Sequence, residues 1–188
     1  MHAVGPITVL FLMLIVFLLP KEHVCSRTAE YAQPISNLWN ALVEFGAYPR
    51  WRSNVTKVET NLPGHIPPDG FEWFREFSSH GNIKYRIVER WEGKLLKREI
   101  VREKGMYISG SWTIHLEQVS KDITRVTIIE HTSVHKTLAK ITGLFTGFSK
   151  DIDTFLMDLG KKFGQVVSIK NGKIQKKEVI NGLGGKRT

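Results

Sequence analysis

Apolar and polar residues alternate through the middle of the chain, as expected for strands with one buried face. Six such segments follow one another, at 53–59, 71–79, 83–92, 95–103, 110–119 and 123–131. The turns between them are short and contain Gly, Pro, Asn or Asp, so no crossover helix is needed and the pattern predicts an antiparallel meander. An earlier alternating segment, Val24 to Tyr31, adds a first strand and brings the predicted sheet to about seven strands.

The large apolar residues of these strands share a parity within each strand. The sets that fall on one side are Phe71, Trp73 and Phe77, then Tyr85, Ile87 and Trp91, then Trp112, Ile114 and Leu116. Because alternate residues of a strand point to opposite faces, each set is predicted to lie on a single face. We therefore expect a sheet with one face built largely from aromatic side chains.

Two helical regions flank the meander. After Pro34, apolar residues on one face of a short amphipathic helix precede Gly46 and a second short helix that ends near Trp51. From Val134 to Val167 apolar residues recur every three or four positions, which predicts a long C-terminal helix with a broad apolar stripe. Gly143 and Gly147 favour a break early in it. The overall prediction is an α+β domain in which a curved antiparallel sheet packs on that helix.

The formal net charge of +9 is concentrated near the C-terminus. Residues 21–133 carry sixteen Lys and Arg against fourteen Asp and Glu, whereas residues 134–188 carry eleven against four. The body of the domain therefore has the mixed charge of solvated strand faces, and a nucleic-acid partner is not predicted. Residues 169–188 lack periodicity and are predicted to form a flexible basic tail.

The N-terminus carries the signal for a membrane. Residues 3–20 contain no charge and would span about 27 Å as a helix, close to the thickness of a bilayer core. A cleaved signal peptide is the alternative, but no basic residue precedes the segment and no small-x-small site follows it. We predict a single-pass anchor at 1–21, with the domain on the cytoplasmic side because Lys21 and Arg27 follow the span. A glycan on Asn54, in an Asn-Val-Thr sequon, would contradict that placement.

The order of these elements resembles a known superfamily. The segment "PISNLWNALVEFGAYPRWRSNVTKVE", the hairpin "GSWTIHLEQVSKDITRVTIIEH" and the ending "FSKDIDTFLMDLGKKF" are similar to START-like (SRPBCC) proteins, which include polyketide cyclase/dehydrase-like and lipid-transport members. The junction "FLLPKEHVCSRTAEY" is similar to membrane-anchored members. The resemblance covers residues 22–166 and implies a helix-grip fold for a domain at 22–168.

The resemblance also implies a cavity for a hydrophobic ligand between the sheet and the C-terminal helix. The residues expected to line it are Trp51, Trp73, Phe77, Tyr85, Ile87, Trp112, Phe148, Ile152 and Phe155. A solid core remains the alternative, since aromatic residues at strand spacing often pack against one another. Arg50 and Arg52 are expected to be charges on the rim.

Three polar residues share parity with these apolar sets and are candidates to point inward. They are Arg75, Glu89 and Glu130. A buried Arg needs a carboxylate partner, so the candidates form either a structural ion pair or a polar anchor for a ligand headgroup. A general acid/base role is the remaining option.

No cofactor and no metal site are predicted. His131 and His135 would share a face only on a continuous helix, and the segment lies where the last strand ends. The leading hypothesis is a membrane-tethered, non-catalytic module for a lipid, sterol, quinone or polyketide-like ligand. The alternatives are a cyclase- or hydrolase-like enzyme using the same cavity and an interaction module with a closed core.

Overall fold

The computed structural model describes residues 22–61, 71–79, 81–106, 108–134 and 149–172. In chain order the elements are β1 (Glu22–Tyr31), α1 (Ile35–Val43), a 3₁₀ helix (Phe45–Arg50), β2 (Lys57–Thr60), β3 (Trp73–Ser78), β4 (Gly81–Trp91), β5 (Leu95–Ile100), β6 (Ile108–Ser120), β7 (Ile123–Val134), α2 (Lys150–Lys162) and β8 (Lys170–Asn171). The α+β class and the meander are confirmed.

The eight strands in the described residues belong to one antiparallel sheet with the order β2-β3-β4-β5-β6-β7-β1-β8. Strands β2 to β7 follow one another in sequence and in space, and β1 returns to pair with β7 along its full length. The prediction of about seven strands missed β8, a two-residue strand that pairs with β1 at Arg27 and Thr28. Its segment falls within the predicted basic tail, because a strand of two residues produces no periodicity.

The sheet has an inner face that packs on α1 and α2, and an outer face on the other side. Directly paired residues of antiparallel strands share a face, so the register assigns each side chain. The inner face carries fully buried apolar residues from β3, β5, β6 and β7, and α2 contributes four more. These inner residues are Phe74, Leu96, Ile114, Val126, Ile128, Ile152, Phe155, Leu156 and Leu159.

Helix α1 buries the stripe that its spacing predicted, with Leu38, Trp39 and Leu42 inside the core. Helix α2 is a single described helix of 13 residues. The rest of the predicted helix, including Gly143 and Gly147, lies outside the described residues. The predicted anchor at 1–21 and residues 173–188 of the predicted tail lie outside them too.

No helix within residues 22–172, in the parts that the structure describes, is both long and apolar enough to cross a membrane.

Candidate functional site

The centre of the inner face is a row of paired residues that crosses five adjacent strands. Ile87 of β4 pairs with Arg98 of β5, Arg98 with Trp112 of β6, Trp112 with Glu130 of β7, and Glu130 with Cys25 of β1. Because the pairs are directly opposite, all five side chains point toward the helical layer. This row therefore carries one cation, Arg98, and one carboxyl group, Glu130, separated by the indole ring of Trp112.

The cation is held in a buried cluster of three charges. Arg98 Nη1 lies 3.1 Å from Glu76 Oε1, and Arg52 Nη1 lies 2.6 Å from the same oxygen. The side chains of Arg98, Arg52 and Glu76 are 1%, 4% and 9% exposed. One carboxylate between two guanidinium groups leaves the cluster with a net positive charge inside the domain.

Aromatic rings surround the guanidinium of Arg98. Its Cζ lies 4.4 Å from the centroid of Trp112 and 4.6 Å from that of Tyr85, with Phe74 and Phe155 within 6 Å. Cation–π attraction in this water-poor setting supplements the ion pair. Burial acts to lower the pKa of Arg98, but the nearby Glu76 carboxylate outweighs it and raises the pKa above its usual value. Arg98 is therefore charged at every physiological pH.

The carboxyl group of Glu130 has a different environment. Thr132 Oγ1 donates to its Oε1 at 2.9 Å, while its buried Oε2 has no hydrogen-bond partner among the residues that the structure describes. Burial raises the pKa of Glu130 to about 7, and the side chains of Thr132 and Trp112 act in the opposite direction. Both protonation states are thus populated near neutral pH, and the protonated form can donate a hydrogen bond.

The nearby tyrosines stay protonated. Burial raises the pKa of Tyr48 to about 12 and raises that of Tyr85 well above its ordinary value. The Tyr48 hydroxyl also donates to the Leu42 carbonyl oxygen at 2.7 Å. Neither phenol is therefore placed to act as a base near neutral pH, whereas the carboxyl group of Glu130 titrates there.

Most of the residues predicted to line a cavity lie on the inner side of the sheet. Those on the inner face or on α2 facing it are Tyr85, Ile87, Trp112, Ile152 and Phe155. Trp51 lies at their edge and makes edge-on contacts with Tyr48 and Phe155 at 5.1 and 5.4 Å between ring centroids. Phe148 lies outside the described residues. Ligand contact by any of them stays a prediction.

The predicted orientation of β3 is wrong. Trp73 and Phe77 lie on the outer face, where Lys84 Nζ and Lys57 Nζ stand 4.2 and 5.2 Å from their ring centroids. The inner face of β3 instead carries Phe74 and Glu76. The alternation within β3 is as predicted, but the opposite set of residues faces the core. The prediction assigned apolar residues to the buried face, and Glu76 can lie there only because Arg52 and Arg98 neutralise its carboxylate.

Two of the three polar candidates also lie on the outer face. Arg75 makes a two-pronged ion pair with Glu103, at 2.6 and 3.0 Å, beside Asn82. Glu89 pairs in register with Lys97, which also points to the outer face. Glu89 lies there because a β-bulge between Ile87 and Glu89 reverses the alternation of β4. The same bulge leaves Trp91 on the outer face and 60% exposed. Only Glu130 of the three points inward.

The buried ion cluster was missed by the sequence analysis. Arg52 was expected on the rim, yet it is buried and its guanidinium lies 4.9 Å from the Phe155 ring centroid. Arg98 sits two residues after Leu96 in β5, and Glu76 two residues after Phe74 in β3. The parity that Arg98 shares with Leu96 is the signal that would have identified Arg98, whereas Phe74 could not be recognised as the core residue of β3 from that strand alone.

Within the described ranges, no group of three His, Cys, Asp or Glu side chains is arranged to hold a metal ion.

Comparison with known proteins reveals the fold. No protein-family model matches the chain. No curated protein matches it in sequence either. Among solved structures it is similar to the Zhui aromatase/cyclase from Streptomyces, with a TM-score of 0.63, 12% identity and coverage of 77% of this chain and 99% of that one.

Two further solved structures have the same architecture. Truncated norcoclaurine synthase from Thalictrum flavum has a TM-score of 0.61 at 14% identity, with 76% of this chain and 94% of that one covered. A START superfamily protein from Mycobacterium smegmatis has a TM-score of 0.57 at 14% identity, with 74% and 96% covered. The chain therefore has a START-like fold, and at such low identity the likeness establishes the fold alone.

Proposed function

We propose that the domain binds a small hydrophobic ligand between the sheet and the C-terminal helical layer, and that residues 1–21 tether it to a membrane with the domain on the cytoplasmic side. The ligand class is a lipid, sterol, quinone or polyketide-like molecule that carries at least one oxygen function. Solved structures with this fold include proteins described as aromatase/cyclase and as norcoclaurine synthase with two aromatic compounds bound.

The observation that carries the proposal is Glu130 on the inner face. Its Oε2 is buried and lacks a partner among the described residues, although a buried polar atom left unpaired costs about 1–3 kcal/mol. A ligand hydroxyl or carbonyl group supplies the missing partner, because a carboxyl group with a pKa of about 7 accepts in one state and donates in the other. The neighbouring Trp112 and Ile128 provide apolar surface on the same face.

The buried cluster of Arg52, Glu76 and Arg98 sets the preference for charge. Its net positive charge, one indole ring away from Glu130, favours a ligand whose polar group carries partial negative charge. A carbonyl or phenol oxygen meets that requirement without the desolvation cost of a full anion. Cationic ligands are disfavoured for the same reason.

The tether is supported by the sequence that precedes the domain. The apolar segment 3–20 is followed directly by Lys21, and β1 begins at the next residue, Glu22. A binding domain held at a bilayer has its apolar ligand within reach, because such molecules partition into the hydrocarbon. The tether therefore fits the ligand class.

The test is native mass spectrometry and organic extraction of residues 22–188 purified from the host. All described strands pair within residues 22–171, so this piece retains the whole sheet. We expect a co-purified apolar compound with wild type and with Glu89→Leu, the outer-face control, but a marked loss with Glu130→Leu. Wild-type protein that carries no small molecule would contradict the proposal.

A cyclase-like enzyme is the second candidate, and Glu130 favours it specifically. A carboxyl group that titrates near pH 7 is suited to general acid/base chemistry on a bound carbonyl compound. In that case the extracted compound would be converted on incubation with wild type and left unchanged by Glu130→Gln.

A further inference from the structure

One end of the sheet, formed by the ends of its strands and not by an outermost strand, has several features that the binding site does not explain. We call it the Glu22 edge. It comprises the start of β1 at Glu22, the end of β7 at Val134, the start of β6 at Ile108 and the loop 101–106. Glu22 pairs with Ser133, and Ser133 pairs with Ser109, so these strand ends lie side by side.

The first feature is the point where the apolar segment joins the domain. A single residue, Lys21, separates residues 3–20 from the first residue of β1. One residue spans less than about 4 Å, so the Glu22 edge is the part of the described domain that is nearest along the chain to the apolar segment. A bilayer that holds residues 3–20 is therefore expected next to this edge and not next to another face of the domain.

The second feature is the direction of β8. Lys170 pairs with Thr28 and Asn171 with Arg27, so the chain runs toward the start of β1. Gly172 continues the same course, since its backbone N–H donates to the Ser26 carbonyl oxygen at 3.1 Å. The described chain thus runs toward the Glu22 edge as far as Gly172, and the sequence that follows has five Lys or Arg and one Glu.

The third feature is the surface of the edge itself. Arg102 and Lys104 are exposed in the loop between β5 and β6, and Ile108 is 42% exposed beside it. The negative charge of Glu103, the acidic residue of that loop, is neutralised by its ion pair with Arg75. Besides the exposed Glu22, the edge therefore presents two basic side chains next to an exposed aliphatic one, a combination that complements anionic headgroups above hydrocarbon.

We infer that the Glu22 edge rests on an anionic bilayer surface, with Arg102 and Lys104 of the loop 101–106 on the headgroups. This orientation deepens the membrane tether of the proposed function and rests on it. The turn between β6 and β7, with exposed Lys121, then points away from the membrane. It stands about 40 Å from the Glu22 edge, because β6 has 13 residues at roughly 3.3 Å each.

The test places a fluorophore at either end of the domain in the full chain. With Cys25→Ala as background, a thiol-reactive dye is attached at Lys104→Cys or, as matched control, at Lys121→Cys. Each protein is reconstituted into vesicles of phosphatidylcholine with one quarter phosphatidylglycerol and a nitroxide quencher on the headgroups. We expect several-fold stronger quenching of the Lys104 dye, weakened by high salt while the chain still floats with the vesicles.

Equal quenching at the two sites, or stronger quenching at Lys121, would overturn the orientation. Failure of the full chain to float with vesicles would overturn it as well, since the edge is then not held at a membrane. Quenching at Lys104 that salt leaves unchanged would reject the anionic headgroup contact. None of these results depends on ligand binding, which the mass spectrometry of residues 22–188 measures separately.

Discussion

Arg98 and Glu76 form an ion pair in the core of the domain, with Nη1 of one 3.1 Å from Oε1 of the other. Arg52 reaches the same oxygen at 2.6 Å. One carboxylate thus neutralises part of the charge of two arginines that are each almost wholly buried, and the stability of the core depends on it.

Replacing Glu76 with Ala should destabilise the domain by about 3–5 kcal/mol, because it leaves two buried cations without a partner. Urea unfolding of residues 22–188 followed by circular dichroism measures the change. The matched control is Glu103→Ala, which breaks the more exposed pair with Arg75 and should cost about 1 kcal/mol or less. Similar losses for the two variants would show that the buried cluster has no special role.

Glu130 should make the domain less stable as the pH rises. Its pKa is raised to about 7 in the fold from an ordinary value of 4.5, so the folded state holds a proton that the unfolded state has released between those two values. Stability therefore falls between about pH 5 and pH 7, by up to about 3 kcal/mol from this group alone.

The measurement is the free energy of unfolding of wild type minus that of Glu130→Gln at several pH values. The difference should slope across the window from about pH 5 to about pH 7 and be flat above it. Glu89→Gln, on the outer face of the same sheet, is the control. The free energy of unfolding of wild type minus that of Glu89→Gln should show no such slope, because both proteins keep Glu130. A pH-independent difference for Glu130→Gln would refute a shifted carboxyl group.

Gly110→Ala should disrupt the pairing of β6 with β7. A Cβ at Gly110 would overlap the backbone oxygen of His131 on the neighbouring strand, and backbone cannot move aside as a flexible side chain can. We expect a loss of about 1–3 kcal/mol or more in urea unfolding. Gly46→Ala is the control, since a Cβ there meets no atom within 4 Å. A neutral Gly110→Ala would mean that the strands separate easily.

Asp158 should be important for holding α2 in place. Its Oδ2 accepts hydrogen bonds from the Ser53 backbone N–H and hydroxyl, both at 2.7 Å, and the side chain is 2% exposed. Asp158→Ala leaves a partly buried N–H unpaired and should cost about 1–3 kcal/mol. Asp151→Ala, at an exposed position of the same helix, should cost less than about 1 kcal/mol. Equal thermal shifts for the two variants would contradict this role.

The sequence predicted the regular parts of the fold because their patterns are local. The strand segments, the amphipathic stripe of α1 and the inward parity of Trp112, Ile114 and Leu116 all follow from alternation or helical spacing. Glu130 was identified in the same way, since it shares its parity with Val126 and Ile128 in β7.

The parts that were missed depend on contacts between distant segments. Glu76 is buried only because Arg52 and Arg98, 24 and 22 residues away in the chain, reach its carboxylate. No property of β3 alone distinguishes that arrangement from one with Trp73 and Phe77 inside. The bulge in β4 is likewise invisible to a rule that assumes strict alternation.

The bulge between Ile87 and Glu89 has a consequence for how the length of this chain can vary. Val88 is the extra residue, because Ile87 pairs with Arg98 and Glu89 with the adjacent Lys97. Deleting Val88 would give a regular strand in which Ile87 still faces α2 and Glu89 still faces away. What would change is the bend and twist that a bulge adds. A one-residue deletion at this position would alter the curvature of the sheet and leave its choice of interior side chains intact.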